Sequence, residues 1–146
     1  MKRKILFLFF FFFAASVPLK TFATPEVGLI IGSPTGLNVE YQNFQGAVGW
    51  DIEKMFHFHL DYLFLKSTTG AFEFYLGGGG VFLSEDSSNQ DNKETKKIFG
   101  PRVPLGATYL IQDVSMRVFF EVAPTLFLIE KVNFELQWGV GVRYVF

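Results

Sequence analysis

The sequence contains no cysteine, and this absence removes several possibilities at once. No disulfide can hold the chain together, and no thiolate is available as a nucleophile or a metal ligand. A lipid anchor attached to a cysteine is excluded as well. The fold must therefore be stabilised by packing, backbone hydrogen bonds and ion pairs.

Long apolar runs are also scarce, and none reaches the about 20 residues that a membrane-spanning helix needs. The clearest run, residues 5–15, follows the basic Lys2, Arg3 and Lys4 and precedes a short segment that ends at Ala23. A basic start, a short apolar run and a small residue before the cut are typical of a secretory signal peptide. We predict a signal peptide over residues 1–23, cleaved after Ala23, and one domain over residues 24–146.

Basic residues are fewer than acidic residues in the chain that remains after this cleavage. Four of the 13 basic residues lie before residue 24, whereas all 14 acidic residues lie after it, so the mature chain has a net charge of −5 with histidine neutral. Proteins that bind nucleic acid neutralise phosphates with a basic surface. We therefore expect no nucleic-acid partner.

Phenylalanine, in contrast, is abundant, with 20 residues, and many recur at alternate positions. The segment 132–146 shows this most clearly, because apolar residues from Phe134 to Phe146 share one strand face while Glu135, Arg143 and two glycines share the other. Successive side chains of a strand point to opposite sides. An apolar column with aromatic residues at its ends, opposite small and charged residues, is typical of a strand in a transmembrane β-barrel.

The same period of two recurs along the mature chain, and no segment keeps the helical period of 3.6. We predict eight strands, over residues 26–32, 36–42, 46–51, 55–65, 71–82, 99–111, 114–128 and 132–146. Because an open sheet edge cannot face lipid, these strands are predicted to close into an all-β, eight-stranded antiparallel up-and-down transmembrane barrel. The polar segment 84–97 is predicted as its one long loop, on the outer side.

Charged residues fall on the strand faces that are predicted to point inward. They form a predicted lumen charge network of Glu40, His57, His59, Asp61, Glu73, Arg102, Arg117, Glu121, Glu135 and Arg143. An ion path through the lumen is one interpretation. However, buried charges are stable only when paired, and an eight-stranded barrel is narrow enough for side chains to fill. We predict a lumen filled by paired charged side chains.

The segment 57–61 places His57, His59 and Asp61 on one strand face, each about 6.6–7 Å from the next. A zinc site would need further ligands within about 2.1 Å of the ion, and these are the only two histidines in the chain. An esterase-type reaction would need a serine beside one of them, and the sequence has no Gly-x-Ser-x-Gly motif. Polar lumen residues are the favoured interpretation, so we expect no metal, no cofactor and no catalytic residue.

Two other functions remain open at this point. An enzyme that acts in the lumen or at its rim would use His57, His59 and Asp61. A soluble secreted or periplasmic barrel of the lipocalin type would bind an apolar ligand inside. The soluble barrel requires the phenylalanine-rich faces to point inward and the charged faces to meet water. The direction of the apolar columns therefore separates the membrane barrel from the soluble one.

Three motifs carry a family resemblance: Gly-Ser-Pro-Thr-Gly-Leu at residues 32–37, Phe-Tyr-Leu-Gly-Gly-Gly-Gly at residues 74–80, and Glu-Val-Ala-Pro at residues 121–124 before the glycine-containing last strand. With the terminal Phe146, the chain resembles small outer-membrane barrels of the OmpA-transmembrane and OmpX kind. It resembles more closely an uncharacterised family of small spirochaetal outer-membrane barrels. The resemblance implies a non-enzymatic, porin-like barrel in the outer membrane of a diderm bacterium, with a structural or surface-interaction role.

The resemblance also implies partners. Tyr144 and Phe146 would form the C-terminal signal that the barrel assembly machinery reads, and the barrel wall would contact outer-membrane lipid. Some members of the spirochaetal family are suspected of binding host complement-regulating proteins. A host or surface ligand would then be expected at the 84–97 loop.

Overall fold

The computed structural model describes residues 24–51, 55–89, 92–128 and 132–146. The predicted signal peptide lies outside the described residues, so its cleavage stays a prediction. The described segments are almost entirely β-strand, with one short 3-10 helix at Gln112–Val114. Among them, no helix has the length and apolar character needed to cross a bilayer.

Nine strand segments form eight wall strands. They are β1 (Glu26–Gly32), β2 (Thr35–Tyr41), β3 (Phe44–Trp50), β4 (Phe56–Thr69), β5 (Phe72–Asn89), β6 (Asn92–Arg102), β7 (Leu105–Ile111), β8 (Met116–Leu128) and β9 (Val132–Val145). β6 and β7 lie end to end between β5 and β8. The break falls at Val103 and Pro104, because proline has no N–H to give to a sheet ladder.

The wall closes where its first and last strands meet. β1 pairs with β9 over its whole length, from Glu26 opposite Val145 to Gly32 opposite Gly139. The remaining neighbours pair antiparallel around the ring. The predicted all-β, eight-stranded antiparallel up-and-down barrel is confirmed.

The barrel has two ends, which we name by their residues. The Glu26 end contains the start of β1, the turns at residues 42–43 and 70–71, and Phe146. The long-hairpin end contains the turn at Ser33 and the β5–β6 hairpin. Tight turns at one end and a long hairpin at the other give the barrel a clear polarity.

The long hairpin differs from its prediction. The sequence predicts residues 84–97 as a loop, but β5 and β6 run through this segment, paired from Ser84 opposite Lys97 to Asn89 opposite Asn92. Asparagine, aspartate and lysine are depleted in strands, so the composition of this segment favours a loop. Glu85 lies opposite Lys96, and such opposite charges support cross-strand pairing. The loop prediction is therefore wrong, and the segment is a two-stranded extension of the wall.

The two faces of the wall have opposite chemical character. Along β4, the outward Phe58 and Leu60 are 45% and 51% exposed, whereas the inward His57 and His59 are 0% exposed. The phenylalanine-rich faces therefore point outward, which is the opposite of what a lipocalin-type barrel requires.

Exposed aromatic side chains encircle the barrel at both ends. We name these sets the two aromatic rings. At the Glu26 end the ring consists of Tyr41, Phe44, Tyr62, Phe72, Tyr109 and Tyr144, and at the long-hairpin end it consists of Trp50, Phe56, Phe99, Phe134 and Trp138. Apolar side chains cover the wall between them, including Leu29, Val39, Val48, Leu60 and Val140.

The interior is layered along the barrel axis. An apolar cluster of Met55, Val81, Leu83, Ile98 and Phe127 fills it towards the long-hairpin end. Phe119 is also buried inside, and Gly141 makes room for its ring, since a Cβ on Gly141 would lie 2.4 Å from a ring carbon. Most of the remaining interior side chains are polar or charged, and they form the candidate site.

Candidate functional site

A guanidinium group lies in the centre of the barrel interior. Arg102, at the end of β6, is 2% exposed. Its Nη2 donates to Glu121 on β8, its Nη1 lies 2.8 Å from His59 Nδ1 on β4, and its Nε lies 3.4 Å from Asp61 Oδ2. We name Arg102, His59, Asp61 and Glu121 the central cluster. One cation thus connects three strands of the wall across the interior.

Glu121 receives hydrogen bonds from three directions. Arg102 donates to Oε1, while the Tyr75 hydroxyl donates to Oε2 at 2.7 Å and Gln45 donates to the same oxygen. Gly106 makes this possible, because a Cβ there would lie 2.3 Å from the Tyr75 ring. A carboxylate that is 3% exposed is stable only with such charge-assisted donors.

The hydrogen bonds around His59 determine where its proton lies. Its Nδ1 faces both Arg102 Nη1 at 2.8 Å and His57 Nε2 at 3.0 Å. Because a guanidinium can only donate, Nδ1 is an acceptor and the His59 proton lies on Nε2. That nitrogen faces Asp61 Oδ2 at 3.8 Å. His59 is therefore a neutral acceptor for Arg102.

A second buried arginine forms its own group of contacts, which we name the Arg143 cluster. Arg143 is 0% exposed and donates from Nε to Asn38 at 2.5 Å, from Nη1 to Glu40 at 2.5 Å, and from Nη2 to Gln45 at 2.8 Å. Its guanidinium carbon lies 4.0 Å from the centroid of the Phe119 ring, within the range of a cation–π contact. The charge is thus paired, hydrogen-bonded and stacked.

Gln45 joins the two arginine clusters. Its amide oxygen accepts from Arg143, and its amide nitrogen donates to Glu121. A side-chain amide suits this position because it can donate and accept at once. Gln137 accepts in the same interior, from Arg102 at 3.4 Å and from Thr125 at 3.3 Å. The polar network is continuous, and it fills the middle of the barrel.

A cavity of about 180 Å³ opens at the Glu26 end. It is lined by Thr24, Glu26, Glu40, Gln42, Lys66, Glu73 and Arg117. Arg117 lies 3.0 Å from Glu26 and 3.3 Å from Glu73, and Lys66 lies 2.5 Å from Glu40. We name this space the Glu26-end cavity.

Nine of the ten predicted lumen residues belong to the two arginine clusters, contact them or line the Glu26-end cavity. They are Glu40, His57, His59, Asp61, Glu73, Arg102, Arg117, Glu121 and Arg143. Glu135 does not join them, because it is exposed. β1 ends at Gly32, opposite Gly139, and one further backbone hydrogen bond joins the Ser33 N–H to the Trp138 carbonyl at 2.8 Å, so Glu135 lies beyond the part of β9 that these described residues cover. The prediction that Glu135 lies in the lumen is wrong for this reason.

Several network residues are absent from the sequence prediction. Asn38, Gln45 and Gln137 are uncharged, and Gln45 lies in β3 before the predicted start of that strand. Their inward direction follows from the alternation with outward apolar neighbours such as Val39 and Leu136. These residues could have been predicted if the alternation had been applied to uncharged polar residues as well as to charged ones.

The chemistry of the central cluster is that of a structural ion-pair network. Ligand atoms of His59, Asp61 and Glu121 lie within 4.8 Å of one another, as metal ligands would. Arg102 already contacts all of them, so a metal ion would compete with a buried guanidinium for the same atoms. The Ser33 hydroxyl donates to Asp51 at 2.7 Å, whereas an activated serine donates to a histidine.

We expect Tyr75→Phe to lower the free energy of unfolding by about 1.5–3 kcal/mol, because it removes a hydrogen bond to a buried charge. Unfolding in urea, followed by tryptophan fluorescence of the detergent-folded protein, measures this change. Tyr62→Phe is the matched control, since Tyr62 is 48% exposed on the outer face. Equal stability of the two variants would contradict the role given to the Tyr75 hydroxyl.

Comparison with known proteins identifies one structure with a similar fold and the family of the chain. The N-terminal β-barrel domain of Pseudomonas aeruginosa OprF is similar, with a TM-score of 0.65 and 14% sequence identity over 85% of this chain and 98% of that one. At this identity the likeness concerns the fold alone. No curated protein matches the chain significantly. The family described as "Protein of unknown function (DUF3996)" matches residues 20–146, and the chain belongs to that family.

Proposed function

We propose that the protein is a non-enzymatic β-barrel of the outer membrane of a diderm bacterium, with a structural or surface-interaction role. The observation that carries this proposal is the direction of the two wall faces. The outer surface is apolar between two aromatic rings, and most of the buried interior side chains are polar or charged. A soluble barrel would have to keep this whole apolar belt in water, at a high cost in free energy.

The two aromatic rings support a membrane position in particular. Tyrosine and tryptophan are enriched at the level of the lipid headgroups, where a ring can meet lipid and a polar group can meet water. Tyr41, Tyr109 and Tyr144 lie at the Glu26 end, and Trp50 and Trp138 lie at the long-hairpin end. Their positions are those that two membrane interfaces would require.

The filled interior supports a role other than catalysis or wide conduction. Arg102 and Arg143 each pair with a buried carboxylate inside the wall, and the apolar cluster around Phe127 lies towards the long-hairpin end. The Glu26 end would face the periplasm after export and cleavage behind Ala23. The long hairpin would then project outward, and residues 84–97 would be the surface for a host or surface ligand.

Assembly would depend on the last strand. Tyr144 and Phe146 are 49% and 65% exposed on the outer face, with their ring centroids 5.1 Å apart. We propose that they are the residues that the barrel assembly machinery recognises. Lipid would then cover them in the finished barrel.

Fractionation of cells that express the full chain tests the proposal. We expect the protein in the outer-membrane fraction, released only by detergent, and migrating differently on a gel before and after heating. Heat-dependent migration is expected because a closed barrel stays folded in mild detergent. Recovery in the soluble periplasmic fraction would contradict the proposal.

A further inference from the structure

One carboxylate oxygen in the Glu26-end cavity lacks a donor. Glu26 is 7% exposed, and its Oε1 lies 3.0 Å from Arg117 Nε. Its Oε2 is buried and has no hydrogen-bond partner among the described residues. The nearest cationic atom recorded for it is Arg143 Nη1 at 3.8 Å, which donates at 2.5 Å to Glu40 instead. Oε2 of Glu26 can therefore accept one more donor.

The charges around the cavity favour a cationic donor. Its lining holds the three carboxylates of Glu26, Glu40 and Glu73 against the two cations Lys66 and Arg117. Lys66 already donates to Glu40 at 2.5 Å and to a backbone carbonyl at 2.7 Å. Arg117 is shared between Glu26 and Glu73. Arg143, the third cation nearby, pairs with Glu40 from deeper in the barrel and does not line the cavity, so the excess of one negative charge is that of the lining residues alone.

Thr24 itself forms part of the cavity lining. The segment before β1 is held in place, because the Phe146 N–H donates to the Pro25 carbonyl at 3.3 Å. Glu26 follows at once, opposite Val145 on β9. The first residues of the domain are therefore anchored beside the carboxylates.

We propose that the Glu26-end cavity binds the α-ammonium group of Thr24, which export and cleavage after Ala23 would create. This inference rests on the proposed function, because only cleavage turns the Thr24 amide into an ammonium. The ammonium offers three donors and one positive charge, which match the unused Glu26 oxygen and the charge excess of the lining. The cavity volume of about 180 Å³ leaves space for it, since a cavity of about 10–15 Å³ already holds one water.

The test uses the mature protein extracted from membranes of cells that express the full chain. Mass spectrometry identifies its N-terminal residue and then follows labelling of the α-amine by an amine-reactive reagent at pH 7, in folded and in heat-unfolded protein. We expect Thr24 at the N-terminus and labelling about tenfold slower in the folded protein. An adjacent carboxylate keeps the amine protonated, and the protonated form does not react.

Glu26→Gln is expected to remove most of this protection, because the amide is neutral and has nearly the same shape. Glu85→Gln is the matched control, since Glu85 is an exposed strand carboxylate at the opposite end. If Glu26→Gln does not fold, Glu73→Gln provides a second variant, with a smaller expected loss of protection. Equal labelling of folded and unfolded protein, protection unchanged by these variants, or a first residue other than Thr24 would overturn the inference.

Fractionation separates this result from the proposed function. A protein that needs detergent for extraction but has an unprotected Thr24 contradicts the inference and leaves the membrane proposal standing. A protein that is freely soluble but has a protected Thr24 contradicts the membrane proposal and supports the ammonium site.

Discussion

Replacing Arg102 by methionine is expected to lower the free energy of unfolding by about 3–5 kcal/mol, the range for breaking a buried ion pair from one side. Methionine has a similar length, but it leaves the buried carboxyl groups of Asp61 and Glu121, 1% and 3% exposed, without the cation that contacts both of them. Urea unfolding of the protein in lipid vesicles, followed by fluorescence of its two tryptophans, measures the loss.

Two further variants make the Arg102 result specific. Lys97→Met changes an exposed residue of the same strand and is expected to stay within about 0.5 kcal/mol of the unchanged protein. The triple variant with Asp61→Asn and Glu121→Gln is expected to regain part of the loss, because it no longer buries unpaired charge. If Arg102→Met costs no more than Lys97→Met, the central cluster does not stabilise the barrel.

Replacing Leu60 by arginine is expected to cost about 2–4 kcal/mol in lipid vesicles, the range for a cation at the middle of the bilayer on the lipid face of a barrel. Leu60 is 51% exposed and lies between Gly46 on β3 and Gly80 on β5, in the apolar belt between the two aromatic rings. The Leu60 side chain points outward. In water it would be an ordinary exposed residue, and in a membrane it would face lipid.

The dependence on depth provides the control for Leu60→Arg. Val132→Arg changes another outward residue, 69% exposed and at the long-hairpin end of β9. There the expected cost falls to about 0–1 kcal/mol, because the side chain reaches the interface. If both variants stay within about 0.5 kcal/mol of the unchanged protein, as surface changes do in water, the barrel does not reside in a bilayer.

The barrel wall could be predicted from the sequence because the side chains of a strand alternate between its two faces. Apolar residues at every second position therefore indicate which face points outward. β1 starts and ends where the alternation around Leu29 and Ile31 predicts, and β9 does so to within one residue. The inward direction of Arg102, Arg143 and their acidic partners follows from the same period. These features depend only on the chain itself.

The pairings across the interior could not be predicted in this way. Whether Arg143 meets Glu40 or another carboxylate depends on the tilt and stagger of the closed wall, which no local pattern records. The fate of Glu135 depends likewise on where β1 stops. The hairpin at residues 84–97 escaped prediction because its strands are polar on both faces, so they show no alternation to detect.

The seam between β1 and β9 has a consequence for the order in which the protein folds. It joins the start of the barrel to its last strand, so nearly the whole domain must be present before the ring can close. Contacts between such distant segments form slowly, since the entropy of a long loop is lost before the contact is gained. Until then both edge strands offer free backbone groups to other chains. The open barrel therefore requires protection from aggregation until β1 and β9 have paired.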